Sequence, residues 1–169
     1  MIRFVASCSR WLNRLAGALA MLLVLYIAGH ILLEITLRLF GTSTFVLDEF
    51  VGYAVASLTF LGLGYALDHG ALVRVNVLLD KLPTRLHWLP ELVCSLLALF
   101  AFGWLAGYWA QNVMRSYQRG TVSETLAETP LWIPEGVVLI GMLLLCLTLL
   151  SRTLQLLVTR SVPKGNGDN

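Results

Sequence analysis

The chain has 169 residues, of which 57% are hydrophobic and 13% are charged, and its formal net charge is +2. Soluble domains usually carry about 25% charged residues, so this chain has too few charges to cover a surface that faces water. The small net charge and the absence of a basic run exclude a nucleic-acid partner. Cys8, Cys94 and Cys146 are far apart, which argues against a disulfide framework or a thiolate metal site. The composition therefore predicts an integral membrane protein.

Four stretches of the sequence are long and apolar enough to cross a membrane, which takes about 20 residues. They are residues 15–37, 50–67, 92–114 and 136–158. The first stretch is too long for a cleaved signal peptide and lacks a convincing cleavage site, so we expect it to be retained. Arg152 lies near the end of the fourth, where its guanidinium could extend to the headgroups. We predict an all-α membrane protein whose four-helix transmembrane domain covers residues 1–160, followed by a polar tail at 161–169.

The basic residues are distributed unevenly between the two sides of the predicted spans. Cytoplasmic loops carry an excess of lysine and arginine, so the richer side is expected inside. Nine of the twelve basic residues lie on the side of both termini and the second connection: Arg3, Arg10, Arg14, Arg74, Lys81, Arg85, Arg152, Arg160 and Lys164. This bias predicts that both termini are cytoplasmic. Trp11 and Trp88 then fall at the inner boundary, where tryptophans anchor membrane proteins.

The second connection has a helical apolar pattern between residues 72 and 88. Its apolar positions are Val75, Leu78, Leu79, Leu82 and Leu86. Arg74, Lys81 and Arg85 share the opposite face, as in a helix that lies in the membrane interface. Alternating valines at 73, 75 and 77 would also suit a strand, but a lone strand there would leave its backbone unpaired. We therefore predict a short interfacial amphipathic helix, with these three basic residues as membrane anchors.

Two ionisable residues, His30 and Glu34, fall inside the first predicted span. Such residues are candidates for an ion or proton pathway, and their spacing places both on one face of a helix. Glu34 also precedes Arg38 by four residues, the spacing of an ion pair on a helix. We favour a structural Glu34–Arg38 pair over a relay, and both interpretations are open to test.

No cofactor, metal site or catalytic centre is predicted. His30 lies in the outer half of the membrane and His69 and His87 lie at the inner edge, so they cannot reach one haem iron, which argues against a cytochrome subunit. The sequence contains no nucleophile–base arrangement, phosphate loop or metal-ligand cluster, which argues against an enzyme.

Gly103 and Gly107 form a GxxxG pair, which within one chain most often serves internal helix packing.

An acidic pair, Asp48–Glu49, opens the second span. Acids at this position could cap the helix, pair with a basic partner, or do both. Together with Glu124, Glu128 and Glu135 they fall on the outer side, which gives this side an acidic character.

Several short motifs follow this acidic pair in a set order. They are Gly-Leu-Gly-Tyr-Ala-Leu at 62–67, Gly-Ala-Leu-Val-Arg-Val-Asn at 70–76, Leu82–Pro83, and then Gly120, Ser123, Leu126 and Pro130-x-Trp132 in the outer loop. With Arg38 and the acidic pair before them, they resemble the small membrane subunit (DctQ type) of tripartite ATP-independent periplasmic (TRAP) transporters. The resemblance covers nearly the whole chain. Leu72 and Asn76 stand where the family often has histidine and aspartate, while Arg74 keeps its place.

The resemblance implies a non-catalytic subunit of a sodium-coupled transporter for organic anions such as carboxylates, in a bacterial inner membrane. The implied partners are a large TRAP permease subunit, a periplasmic substrate-binding protein and membrane lipids. The small subunit would enlarge the scaffold of the large one and help to dock the binding protein. The candidate docking residues are Asp48, Glu49, Glu124 and Glu128.

Two other functions are compatible with the same layout. One is the small subunit of a tripartite tricarboxylate transporter, which has a similar arrangement of helices. The other is a self-contained ion-coupled or proton-coupled carrier that uses His30 and Glu34.

Overall fold

The computed structural model describes residues 2–69 and 88–159. These residues form four helices: α1 (Ile2–Leu39), α2 (Leu47–Asp68), α3 (Trp88–Arg119) and α4 (Trp132–Thr159). Each helix is long and apolar enough to cross a membrane. Apart from one isolated bridge between Val122 and Pro130, the described residues contain no β-structure. The prediction of an all-α protein with four helices long and apolar enough to span a membrane is confirmed for the described residues.

Two predicted features lie outside the described residues. The interfacial helix predicted at residues 72–88, with Arg74, Lys81 and Arg85, lies outside the described residues except for Trp88, and so does the polar tail predicted at 161–169. Trp88 is the first residue of α3. The orientation of the bundle in the membrane remains a prediction, so its two ends are named after the segments that they carry. The loop end carries residues 40–46 and 120–131, and the terminal end carries the start of α1 and the end of α4.

Both helices that end at the loop end stop at a glycine with positive φ. Gly41 (φ 75°) follows α1 and Gly120 (φ 59°) follows α3. At these positions the amide of Thr42 donates to the Leu37 carbonyl (3.1 Å) and the amide of Thr121 donates to the Ser116 carbonyl (3.1 Å). A left-handed residue turns the chain back over the last helical carbonyls, and glycine adopts that conformation without steric cost. These glycines therefore fix where the two connections leave the bundle.

Helix α4 is the centre of the bundle, because it packs against each of the other three helices. Its approach to α2 is close: a Cβ atom added at Gly141 would lie 2.7 Å from the Phe60 carbonyl carbon. One apolar cluster is built on the buried side chains of Leu67, Leu145 and Leu149. A second is built on Ala106, Val138 and Met142. The core thus follows α4 along its length.

The glycines of the α3 GxxxG pair do not serve this packing. Gly103 and Gly107 are exposed, and a Cβ atom added at either would meet nothing within 4 Å. The prediction that they pack internally is therefore wrong. The helix contacts of α3 are made by other residues, and the glycine face looks outward.

Polar side chains join the helices at three buried positions. The amide of Asn13 donates to the Thr148 hydroxyl (2.8 Å) and links α1 to α4. The Thr148 hydroxyl itself donates to the Leu144 carbonyl (2.8 Å), so it accepts from Ser9 (3.2 Å). The Ser95 and Thr153 hydroxyls, 2.7 Å apart, link α3 to α4. In a membrane, where helices gain no hydrophobic energy from meeting each other, such bonds help to fix their pairing.

Arg152 forms a further link at the terminal end. Its guanidinium forms an ion pair with Glu91 at the start of α3 and lies 3.4 Å from the Leu67 carbonyl at the end of α2. The sequence suggested that Arg152 could extend to the headgroups, and the structure gives its guanidinium partners within the protein. A carboxylate and a helix-end carbonyl lie within its reach, and charge-assisted bonds to them replace hydration.

Candidate functional site

Glu34 holds the first connection at the loop end. Its side chain is only 1% exposed although it is ionisable. The carboxylate lies 3.1 Å from Arg38 Nε, and it accepts hydrogen bonds from the Thr44 amide (3.1 Å), the Thr44 hydroxyl (2.6 Å) and the Ser43 hydroxyl. A buried carboxylate is tolerated when charge-assisted bonds satisfy its oxygens. The predicted partner Arg38 is thus one of several donors, and the others belong to the loop.

His30, the other ionisable residue of the first span, has separate contacts. Its Nδ1 lies 3.2 Å from the Tyr26 hydroxyl. Its ring centroid lies 6.4 Å from that of Phe50 in α2. His30 is therefore placed against aromatic side chains, while Glu34 is directed to residues 43–44.

The acidic pair at the start of α2 divides between two environments. Val46 is the cap residue of α2, and the helix has no side-chain capping hydrogen bond. Asp48 and Glu49 lie in the first turn, where negative charge complements the helix dipole. Asp48 is exposed. The Glu49 carboxylate instead accepts a hydrogen bond from the Thr125 hydroxyl of the second loop.

The second loop, residues 120–131, closes on itself. The Ser123 amide donates to the Thr129 carbonyl (2.9 Å), and the Leu131 amide donates to the Thr121 carbonyl (3.1 Å). The Ser123 hydroxyl accepts from the Thr129 amide (3.1 Å). These bonds form a short hairpin-like loop. Glu124 and Glu128 are exposed on it.

Glu135 fastens the start of α4 to α3. The Asn112 amide donates to its carboxylate (3.1 Å), and the Trp109 indole N–H donates to its backbone carbonyl (3.1 Å). The acids at the loop end therefore form two groups. Glu34, Glu49 and Glu135 are bonded within the protein, while Asp48, Glu124 and Glu128 face outward.

The predicted anchors at the terminal end are described only in part. Trp11 is well exposed on α1, and Trp88 is partly exposed at the start of α3. Both positions allow contact with a membrane interface.

Four residues that shape these ends could not be identified from the sequence: Ser43, Thr44, Thr125 and Glu91. Hydroxyl residues are common in loops, and nothing in their spacing points to Glu34 or Glu49. Glu91 and its partner Arg152 are 61 residues apart in the chain, so no local pattern joins them. The Glu34–Arg38 contact could be read because it lies within one helical turn.

The described helices have apolar outer surfaces, and each of the two loops is tied to the bundle by a carboxylate, Glu34 for the first loop and Glu49 for the second. In the described ranges, no group of three or more His, Cys, Asp or Glu side chains is placed to hold a metal ion. The loop end therefore presents a surface with three exposed carboxylates.

Comparison with known proteins agrees with this arrangement. Residues 27–159 match the family described as tripartite ATP-independent periplasmic transporters, DctQ component. The ectoine TRAP transporter small permease protein TeaB of Halomonas elongata is 28% identical over 106 residues, which is 60% of this chain and 54% of that protein. The chain thus spans about half the length of this curated relative. No solved structure matches the chain significantly. The family match covers most of the chain, confirms the resemblance found in the sequence, and shows that the chain belongs to the DctQ family of TRAP transporter small permease subunits.

Proposed function

We propose that this small permease subunit acts as a scaffold for a large TRAP permease subunit and helps to dock a periplasmic binding protein. The transporter would take up organic anions, with carboxylates as the substrate class, and would be driven by a sodium gradient in a bacterial inner membrane. Substrate and sodium would bind in the large subunit, so this chain carries no selectivity of its own.

The scaffold role is supported most by where the exposed apolar side chains and the buried polar side chains lie. Helix α3 carries a row of exposed large side chains at helical spacing: Leu97, Phe100, Trp104 and Tyr108. Few residues of α3 are buried, because among the described helices it packs closely only against α4. The buried polar side chains join one helix to another, as Asn13 and Ser95 do, and this suits a packed support more than a permeation path.

The docking role would belong to the loop end. Asp48, Glu124 and Glu128 are exposed there and could meet a basic surface of the binding protein. Glu49, also a candidate, would act through the loop that its carboxylate holds. At the other end, Trp11, Trp88, Arg74, Lys81 and Arg85 would anchor the subunit to lipid headgroups.

Co-purification tests the scaffold role. A tagged chain expressed with the large permease should retain it in mild detergent, and an untagged chain should not bring it to the same resin. Failure to retain any large polytopic permease would contradict the proposal.

A flux assay separates the scaffold from a self-contained carrier. The purified chain alone, reconstituted in liposomes, should give no ion or substrate flux. Flux that is lost in Glu34→Gln would instead support a carrier that uses His30 and Glu34.

A further inference from the structure

A recess opens at the loop end, beside the last turn of α1. Its volume is about 460 Å³, and it is lined by Arg38, Gly41, Thr42, Ser43 and Phe45. Binding sites for small molecules usually enclose about 300–1,000 Å³, so the recess has room for a phosphate group and the alcohol attached to it. We propose that this recess binds the phosphate-bearing headgroup of a phospholipid, with Arg38 as the residue that contacts the phosphate. The inference goes beyond the proposed function, because it requires only that the chain lies in a membrane.

The first step in the argument is that the Arg38 guanidinium is held in place and still available. Its side chain is 66% exposed, and its Nε lies 3.1 Å from Glu34 Oε1. Among the described residues, neither Nη atom of Arg38 has a hydrogen-bond partner. An arginine can donate two parallel hydrogen bonds to two oxygens of one phosphate. Glu34 therefore orients the guanidinium, and the Nη atoms remain for a ligand.

The second step concerns the carboxylate beside this cation. Glu34 is 1% exposed, and its oxygens also accept hydrogen bonds from the Ser43 hydroxyl and from the amide and hydroxyl of Thr44. Its negative charge is thus surrounded by donors, and the exposed member of the pair is Arg38. Because the pair is neutral overall, it attracts a distant anion only weakly, so a ligand needs further contacts to bind here.

The third step is that apolar side chains supply those contacts. Phe45 lines the recess and is 74% exposed, and Leu39 and Phe40, which follow Arg38 in the chain, are 81% and 79% exposed. A cation among large apolar side chains at the end of a membrane-spanning helix fits a ligand with an anionic head and an apolar tail. A free phosphate ion has no apolar part to contact them. The combination favours a phospholipid over a soluble anion.

The fourth step is the depth of Arg38 in the membrane. Arg14 and Arg38 lie 24 residues apart in the continuous helix α1, which corresponds to about 36 Å along its axis. The hydrocarbon core of a bilayer is about 30 Å thick, and the bilayer with its headgroups about 40–45 Å. If Arg14 lies in one headgroup layer, Arg38 therefore lies in the other. This position is where a lipid phosphate is found, whichever way the bundle is oriented.

The other exposed charges at this end do not oppose an anionic group. The exposed acids are Asp48, Glu124 and Glu128, and the exposed bases are Arg38, Arg115 and Arg119. Neither sign dominates, and Arg38 is the member of this set that lines the recess. The headgroup is therefore recognised by contacts within the recess and not by the overall charge of the loop end.

The test is photo-crosslinking of the full chain to a phosphatidylglycerol with a photoreactive headgroup, in maltoside detergent that contains no phosphate. Peptide mapping should show saturable labelling of residues 41–45 in the wild type. Arg38→Gln should raise the lipid concentration for half-saturation at least about tenfold, because charge-assisted bonds to the phosphate are lost. Arg115→Gln removes another exposed arginine of the loop end and is the matched control, which should leave this concentration unchanged.

A second variant covers the case in which Arg38→Gln disturbs the first loop. Thr42→Trp leaves Arg38 and Glu34 in place and fills the recess with a large side chain, so it should also prevent labelling of residues 41–45. Equal labelling in the wild type, Arg38→Gln and Thr42→Trp would overturn the inference.

Competitors identify the part of the ligand that is recognised. Unlabelled phosphatidylglycerol should displace the probe, whereas inorganic phosphate and a diacylglycerol with the same acyl chains should not. Displacement by inorganic phosphate at the same concentration as the lipid would assign the recess to a free anion and overturn the proposal. Displacement by diacylglycerol equal to that by phosphatidylglycerol would show that acyl chains alone are bound, which would also overturn it.

Discussion

Glu34 shows how a single carboxylate in a membrane-spanning helix can have a structural role outside that helix. Its position inside the first predicted span suggested an ion pathway or a pair with Arg38. The structure directs most of its hydrogen-bonding capacity to residues 43 and 44, beyond the helix end. A carboxylate accepts several bonds at once, so one residue can define the path of a loop.

Replacing Glu34 by alanine should release the first loop. The Thr44 amide donates to Glu34 Oε2 (3.1 Å), and hydrogen bonds to charged groups contribute about 1.5–3 kcal/mol. We therefore expect hydrogen exchange at the Thr44 amide to accelerate at least about tenfold. Glu124→Ala, on the other loop, is the control and should leave this amide unchanged. Equal exchange in the wild type and Glu34→Ala would show that the loop is held by other contacts.

At the scale of helices, the sequence was most informative about apolar length and least informative about contacts between distant segments. Each predicted span lies within one helix, but α1 begins at residue 2, well before the span predicted to begin at residue 15. A charged residue can end a membrane span without ending the helix. In α1 the backbone hydrogen bonds of the helix continue through Arg10 and Arg14. The ion pair of Arg152 with Glu91, and the outward glycines of α3, depend on tertiary packing that a hydrophobicity pattern does not contain.

Two glycines of α2 provide a matched test of that packing. A Cβ atom at Gly64 would lie 2.8 Å from Asn13 Oδ1 in α1, whereas one at Gly62 would meet nothing within 4 Å. Alanine favours a helix over glycine by about 1 kcal/mol, so Gly62→Ala should keep or raise the melting temperature in detergent. Gly64→Ala should lower it, since overpacking costs about 1–3 kcal/mol. Equal melting temperatures of the two variants would mean that the Asn13 side chain can move away from α2 freely.

In the molecule as a whole, some acidic side chains are hydrogen-bonded within the protein and others are exposed. The five acids that the sequence places on the outer side are divided, because Glu49 and Glu135 are bonded within the protein. Three exposed acids remain for a partner. The sequence could place these acids on one side of the membrane, but it could not show which of them are free, since that depends on where the loop hydroxyls and Asn112 lie.

Reversing two of the outward acids should weaken uptake in a salt-dependent way. Asp48→Lys with Glu124→Lys would oppose a basic partner, and exposed charges are screened over about 8 Å at physiological ionic strength. Uptake by cells or proteoliposomes should therefore fall more at low salt than at high salt, with equal amounts of the complex in the membrane. The same loss at every salt concentration would indicate a folding defect, and no loss at any concentration would contradict docking by these acids.

The contact of Arg152 with Glu91 and the Leu67 carbonyl has a consequence for the biogenesis of the protein. The three groups come from α4, α3 and α2, and Arg152 is the last of them to leave the ribosome. Until Arg152 has been synthesised, this guanidinium link between the start of α3 and the end of α2 cannot form. Closure of the terminal end through Arg152 is therefore a late event, which follows the synthesis of α2, α3 and most of α4.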